Sequence, residues 1–297
     1  MELGSIRPRR IALSADLHYG SRHTDGNTAT QKMAEYLQWH VPDLLILAGD
    51  IGAGDDFGPC LELFSKIPCM RAAIAGNHDI WVMPDDHRGN SLDVYQTFLP
   101  HLCQKHGFIY LDQEPIILAD SDLAIVGNIN WYDYSWSLEK LQKSIPDWEY
   151  RLQTKRFSRG RHNDANFIRW GFNDGTFTSH LTQIIQSQID MVLSQIGQLI
   201  LVTHHPAARW MSLNDEANPT LDQLLWEAFS GNSRLEKIIE RHQAQIPFIF
   251  SGHTHRVHEG VCQHCRGFNI GGNYHSKRLL LLDWPEGKIE AIEFKTD

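Results

Sequence analysis

The sequence predicts an α/β fold in which a mostly parallel sheet, supplemented by antiparallel strands, is packed as two facing sheets. Three observations carry that prediction. Several short apolar runs are each followed at once by polar residues, as buried parallel strands are where they emerge at a sheet edge. Helical patterns separate those runs. The remaining apolar segments are rich in β-formers, broken by Gly or Pro turns, and leave no room for helices between them.

The five runs are IALSADLH from Ile11, LLILAGD from Leu44, RAAIAGNHD from Arg71, LILVTHHP from Leu199 and PFIFSGHTH from Pro247. Met33 and Leu37 mark a helix before the second run, and Leu61 and Phe64 one before the third. Leu181, Ile185, Ile189, Val192 and Ile196 mark a longer helix before the fourth. Strand and helix therefore alternate, which implies right-handed crossovers and a parallel core. Segments 117–129, 257–272 and 278–294 supply the β-rich remainder, the last as a hairpin around Pro285, Glu286 and Gly287. No internal repeat, low-complexity tract or long linker divides the 297 residues, so a single domain over 1–297 is expected. From Asn130 to about His180 the chain departs from the plan, with many aromatics and the basic run KRFSRGRH from Lys155 to His162. This reads as an insertion.

A formal net charge of −9 argues against a protein that coats nucleic acid or anionic membrane, because such partners demand clustered Lys and Arg. No stretch is apolar for long enough to span a bilayer, and MELGSIRPRR lacks the hydrophobic region of a signal peptide. Cytoplasmic residence is therefore expected. Five cysteines without a secretion signal imply reduced thiols, with Cys60, Cys69 and Cys103 as small core residues. Cys262 and Cys265, with His258 and His264 nearby, form a C-x-x-C that lacks the second pair a structural zinc needs.

Each of the five runs ends in residues able to bind metal, and all five ends should share the C-terminal edge, where open α/β sheets place ligands. Taken singly, each motif has an ordinary explanation as a turn or a solvated strand end. Their convergence is the signal. Asp16 and His18 stand two apart on what reads as an extended segment, so their side chains would point to one side and share a cation. Asp50, after Gly49, offers two oxygens with which to bridge two cations. In GNHD, Gly76 would permit a tight turn and Asn77 offers an amide oxygen. His78 diverges from Asn77 and can reach a substrate, with Asp79 expected to hold its tautomer and raise its pKa, as suits a proton donor. Of His204 and His205 only one should face the metals, and His204 is preferred. His253 and His255 repeat the two-residue spacing and could serve different cations.

D-x-H, G-D, G-N-H-D, H and G-H-x-H in this order resemble the calcineurin-like metallophosphoesterase superfamily, over residues 16 to 255. The resemblance implies a four-layer fold, two packed mixed β-sheets flanked by helices. It further implies one metal held by Asp16, His18, Asp50 and His255 and another by Asp50, Asn77, His204 and His253. Such a pair would deprotonate a bridging water that attacks phosphorus in line, with His78 protonating the leaving oxygen. Mixed carboxylate, amide and imidazole donors suit Mn, Fe or Zn. The expected substrate is a small phosphoester or a nucleotide, as monoester or diester. A nuclease is disfavoured by the acidic balance, and a non-catalytic protein-interaction scaffold, as in the retromer subunit that the family resembles, by the full set of ligands. Trp131, Tyr132 and Asp133 are expected either at the rim, with the aromatic insertion as a lid or pocket wall, or with these aromatics only packing a peripheral helix pair. Arg151, Arg156, Arg159 and Arg161 could contact a phosphate or form a solvated face. Oligomeric state is left open.

Overall fold

The computed structural model describes residues 9–212 and 218–296. The first eight residues of the N-terminal stretch read above for a signal peptide lie outside the described residues. Among the described residues, twelve strands form two six-stranded sheets. The strands are β1 (Arg10–Ser14), β2 (Leu44–Ala48), β3 (Met70–Ile74), β4 (Ile109–Tyr110), β5 (Ile116–Leu118), β6 (Leu123–Asn128), β7 (Gln198–Thr203), β8 (Phe248–Ser251), β9 (His258–Cys262), β10 (Cys265–Asn269), β11 (Lys277–Asp283) and β12 (Lys288–Phe294). One sheet runs in the order β12-β11-β1-β2-β3-β4 and the other β5-β6-β7-β8-β10-β9.

Both sheets are mixed. β1, β2, β3 and β4 are parallel, while β11 and β12 add antiparallel strands on the far side of β1. In the second sheet β6, β7, β8 and β10 are parallel, with β5 and β9 antiparallel at the two edges. Segment 117–129 thus supplies a hairpin whose second strand joins the parallel core. The 278–294 hairpin turns where expected.

Side-chain alternation builds the layers. Ile11, Leu13, Ile46 and Ile74 of the first sheet meet Ile200, Val202, Phe250 and Phe268 of the second in the core between them. Their neighbours face outward. Ala12, Leu45 and Leu47 pack under helices Thr24–Trp39 and Phe57–Ser65 through Met33, Leu37, Leu61 and Phe64. On the other side Leu199, Leu201 and Ile249 pack under helices Asp174–Leu193 and Ser233–His242 through Ile185, Ile189, Val192 and Ile239. Each such fully buried aliphatic side chain is worth roughly 1.5–3 kcal/mol. The last two helices start where Asn173 and Asn232 accept from the backbone N–H groups of Thr176 and Leu235, satisfying donors the first turn leaves open.

The layers are those expected of a four-layer sandwich. What the sequence did not anticipate is the division of the five strand ends, three of which (β1, β2, β3) belong to one sheet and two (β7, β8) to the other. They meet because the C-terminal ends of both parallel cores face one another. His253 N–H donates to Asp16 Oδ1 at 2.9 Å, and His204 Nδ1 lies 3.1 Å from the Ala48 carbonyl oxygen. Among the described residues, no helix is long and apolar enough to cross a membrane.

Candidate active site

Beyond their last paired residues, β1 and β2 stay together: Asp16 N–H donates to Gly49 O at 3.1 Å and His18 N–H to Asp50 O at 2.8 Å. The path is not extended, however. Asp16, His18, Asp50, His253 and His255 all have left-handed backbone, with φ of 57°, 43°, 51°, 71° and 54°. Non-glycine residues rarely adopt it, at a cost of about 1–3 kcal/mol each, and persist there only when their surroundings fix them. The two-residue spacing therefore works through a tight path on both strand ends, and not through the strand alternation expected from sequence. Gly76 is required for close approach: a Cβ there would stand 2.1 Å from Asp50 N and 2.2 Å from Asp50 Oδ1. Gly49 combines φ +83° with a Cβ position 2.5 Å from His204 Nδ1.

These turns gather two groups that share Asp50. In the first, Asp16, His18, Asp50 and His255 bring one ligand atom each within 4.8 Å of one another. His18 Nε2 and His255 Nε2 are 2.8 Å apart, and His255 Nε2 lies 3.7 Å from Asp16 Oδ1. In the second, Asn77 Oδ1 lies 3.1 Å from His204 Nε2 and 3.3 Å from His253 Nδ1. Asp50 reaches both groups. Its Oδ1 lies 3.3 Å from His204 Nε2 and its Oδ2 3.6 Å from His18 Nε2.

The electrostatics favour a cation. Burial raises the Asp50 carboxyl, but His204, His78 and His18 together hold it well below the usual carboxylate range. Burial lowers His204 while Asp50 pulls it the other way, up to about 9. The field that draws a proton onto His204 would equally draw a metal. Burial keeps His18 and His253 well below the ordinary imidazole value, so both present free nitrogen lone pairs. Asp16 Oδ2 is buried without a hydrogen-bond partner, and a bound cation would satisfy it.

His78 lines the cavity above these groups. Its ring stacks on Trp81 with centroids 3.5 Å apart, its backbone N–H donates to Asp50 Oδ1 at 2.9 Å, and its Nε2 lies 3.8 Å from Asp50 Oδ2. Asp79 is engaged elsewhere. Its two oxygens accept from Gly52 N–H at 2.9 Å and Gly76 N–H at 2.7 Å, clamping the turns after β2 and β3. The expected support of the His78 tautomer by Asp79 is corrected accordingly, and so is the raised pKa: burial lowers His78. Asp79 itself is pushed up to about 8 by burial and the Asp50 carboxylate.

His205 diverges from His204 as anticipated. It is buried, tilts against His253 at 4.0 Å, and burial with the neighbouring His204 lowers it to about 3. Cys262 and Cys265 face each other across the β9–β10 hairpin. Among the described residues no metal-holding group includes them, and His258 Nε2 lies 3.2 Å from the Trp210 carbonyl oxygen.

The 130–180 segment forms a wall, but with residues other than those expected. Trp131 and Tyr132 are fully buried, bonded through Nε1 to Asp174 at 2.8 Å and through the hydroxyl to Asp164 at 2.8 Å. Asp133 binds Arg234 at 3.1 Å. The two aromatics belong to the core because large aromatics gain more from full burial than from a half-exposed rim. The cavity, about 320 Å³, is walled instead by Phe157, Arg161, His162, Trp226 and Tyr274. Arg151 is taken up by Asp147, Arg156 lies over the Tyr150 ring and Arg159 is exposed, so of these four arginines Arg161 alone faces the site. Trp81, three residues past His78, had a local signal; Trp226 and Tyr274 had none.

A two-sheet sandwich that converges carboxylates, an amide and imidazoles on one cavity is the framework of a metal-dependent phosphoester hydrolase. The sequence pattern of the calcineurin-like phosphoesterase family matches residues 9–257, and the chain belongs to that family. No curated protein matches it in sequence. Among solved structures it is similar to a phosphopantetheinyl hydrolase from Mycobacterium tuberculosis, with a TM-score of 0.69, 19% identity, and 90% of each chain covered. A dimetal phosphatase from Danio rerio aligns with a TM-score of 0.55 and 11% identity, covering 98% of this chain and 100% of that one. A protein from Staphylococcus aureus, provisionally assigned as a 5'-nucleotidase, aligns with a TM-score of 0.54 and 12% identity, covering 97% of this chain and 55% of that one.

Proposed function

We propose that this phosphoesterase works with two divalent metals, Mn, Fe or Zn, and hydrolyses a small phosphoester or nucleotide. One observation carries the reading: the two oxygens of Asp50 face the two ligand groups separately, one toward His18 and the other toward His204. Asp16, His18 and His255 would complete one site, and Asn77, His204 and His253 the other. A bound pair supplies Lewis acidity toward the phosphoryl oxygens and a water acidic enough to react near neutral pH.

The remaining chemistry belongs to the chain. Burial leaves the His78 ring short of a proton at rest, and the negative charge of an arriving phosphoryl group favours its protonation. Trp81 holds the ring against the cavity, where it can protonate the departing ester oxygen. Asp79 takes no part in proton transfer in this scheme; it holds the turns that aim Asp50 and Asn77. Arg161 is placed to meet an anionic oxygen at the rim, and Trp226 and Phe157 give the leaving group an apolar wall.

A cavity of about 320 Å³ suits a small ligand. The net charge of −9 and the internal partners of Lys155 and Arg156 weigh against a nucleic-acid track. The test is metal analysis of the purified protein, then hydrolysis with added Mn²⁺ of a nucleoside monophosphate, a cyclic nucleotide, an aliphatic monoester, an aryl diester and single-stranded DNA. Two bound metals with turnover of a small ester are expected. A metal-free, inert protein would return the scaffold reading, and preference for DNA the nuclease.

A further inference from the structure

Asp164 lies outside every motif that supplies a candidate ligand, yet it is 1% exposed and its carboxylate serves four groups at once. Oδ1 accepts from Asn77 Nδ2 at 2.9 Å and from Trp81 Nε1 at 2.8 Å. Oδ2 accepts from the Tyr132 hydroxyl at 2.8 Å and lies 3.2 Å from His162 Nδ1. A carboxylate this deeply buried is tolerable only when its lone pairs are so occupied. The question is what the arrangement does.

An asparagine amide has two ends of opposite character. The oxygen can bind a cation and the NH₂ group repels one, while their similar size leaves shape unable to choose between them. Asp164 chooses. Turning the amide over would set the Asn77 oxygen against a carboxylate and lose a charge-assisted hydrogen bond. With the NH₂ group committed to Asp164, Oδ1 is left facing His204 Nε2 at 3.1 Å and His253 Nδ1 at 3.3 Å.

We propose that Asp164 is a positioning residue for the second metal: it presents the Asn77 oxygen and, through the same carboxylate, seats Trp81 and His162 in the cavity wall. The inference rests on the reading of Asn77 as a ligand. Metal affinity at that half of the site is thereby coupled to the 155–170 wall, and through Trp81 to the ring of His78.

The test is calorimetric titration of the full chain with Mn²⁺, followed by elemental analysis after gel filtration. Asp164→Asn should weaken the second Mn²⁺ by roughly 10–100-fold, the usual effect of losing a group that orients a ligand, and leave the first unchanged. Asn77→Asp/Asp164→Asn should regain much of the second affinity, because a carboxylate at 77 offers oxygen whichever way it turns. Tyr132→Phe, which removes a different partner of Asp164, should keep both metals. Equal affinities in wild type and Asp164→Asn would overturn the proposal, as would failure of the double variant to recover. A wild-type chain that binds fewer than two Mn²⁺ ions would instead overturn the two-metal reading beneath it. Should Asp164→Asn fail to fold, a metal-loaded crystal structure of the wild type decides the matter: one end of the Asn77 amide on the metal with the other within hydrogen-bond distance of Asp164 supports the proposal, and an amide that leaves either partner defeats it.

Discussion

The loops after β1, β2, β3, β7 and β8 and the segment from 130 to 180 both line the cavity, but they hold their side chains by different means. In the loops the main chain does the holding. Left-handed residues alternate with others along Asp16–His18 and His253–His255, and Gly49 and Gly76 let backbone pass where no Cβ would fit. In the segment, side chains do it. Asp164 gathers Asn77, Trp81, Tyr132 and His162, and Asp174 gathers Trp131, Tyr134 and Lys155. A site fixed by backbone geometry leaves a local trace in sequence; one fixed by buried carboxylates at long range does not.

That contrast can be broken most severely at Asp50. If the loops act as one unit, Asp50→Ala strips or weakens both metals and takes turnover to background, as elemental analysis and kinetics on the best substrate of the panel will record. Loss of one metal alone would separate the loops into independent halves. His78→Ala is the next largest, lowering kcat by roughly 10²–10⁴-fold with metal content intact. A variant that lost metal as well would make His78 part of the loop framework.

The segment is probed by Asp174→Ala, which leaves the Lys155 ammonium buried without its partner 2.5 Å away. Breaking a buried pair from one side costs about 3–5 kcal/mol, so a lowered Tm is expected, with metal content of the folded fraction unchanged. Unchanged Tm would show that the segment is not held by its carboxylates. The smallest effect is expected of Trp226→Ala. It should raise KM for a nucleotide by an amount equivalent to roughly 1–3 kcal/mol of stacking and leave kcat near the wild-type value. A KM unmoved for every substrate would remove the aromatic wall from recognition.

The five strand ends were legible because each couples a buried apolar run to a polar terminus within a few residues, and their order named the family. The reading failed where geometry depended on distance. Trp131 and Tyr132 follow β6 closely enough to suggest the rim, yet Asp174 and Asp164, more than thirty positions further on, draw them into the core. Asp79 adjoins His78 in sequence but is turned to the N–H groups of Gly52 and Gly76.

The sequence by itself therefore determined the strand-and-helix order, the family and the residue types at the candidate metal site, since each follows from local pattern. Tertiary structure alone decided which side chains wall the cavity, what Asp79 holds and which way Asn77 turns. The contact between Asn77 and Asp164 spans 87 positions, and no local periodicity encodes a hydrogen bond between groups that only the packing of two sheets and the segment between β6 and β7 brings together.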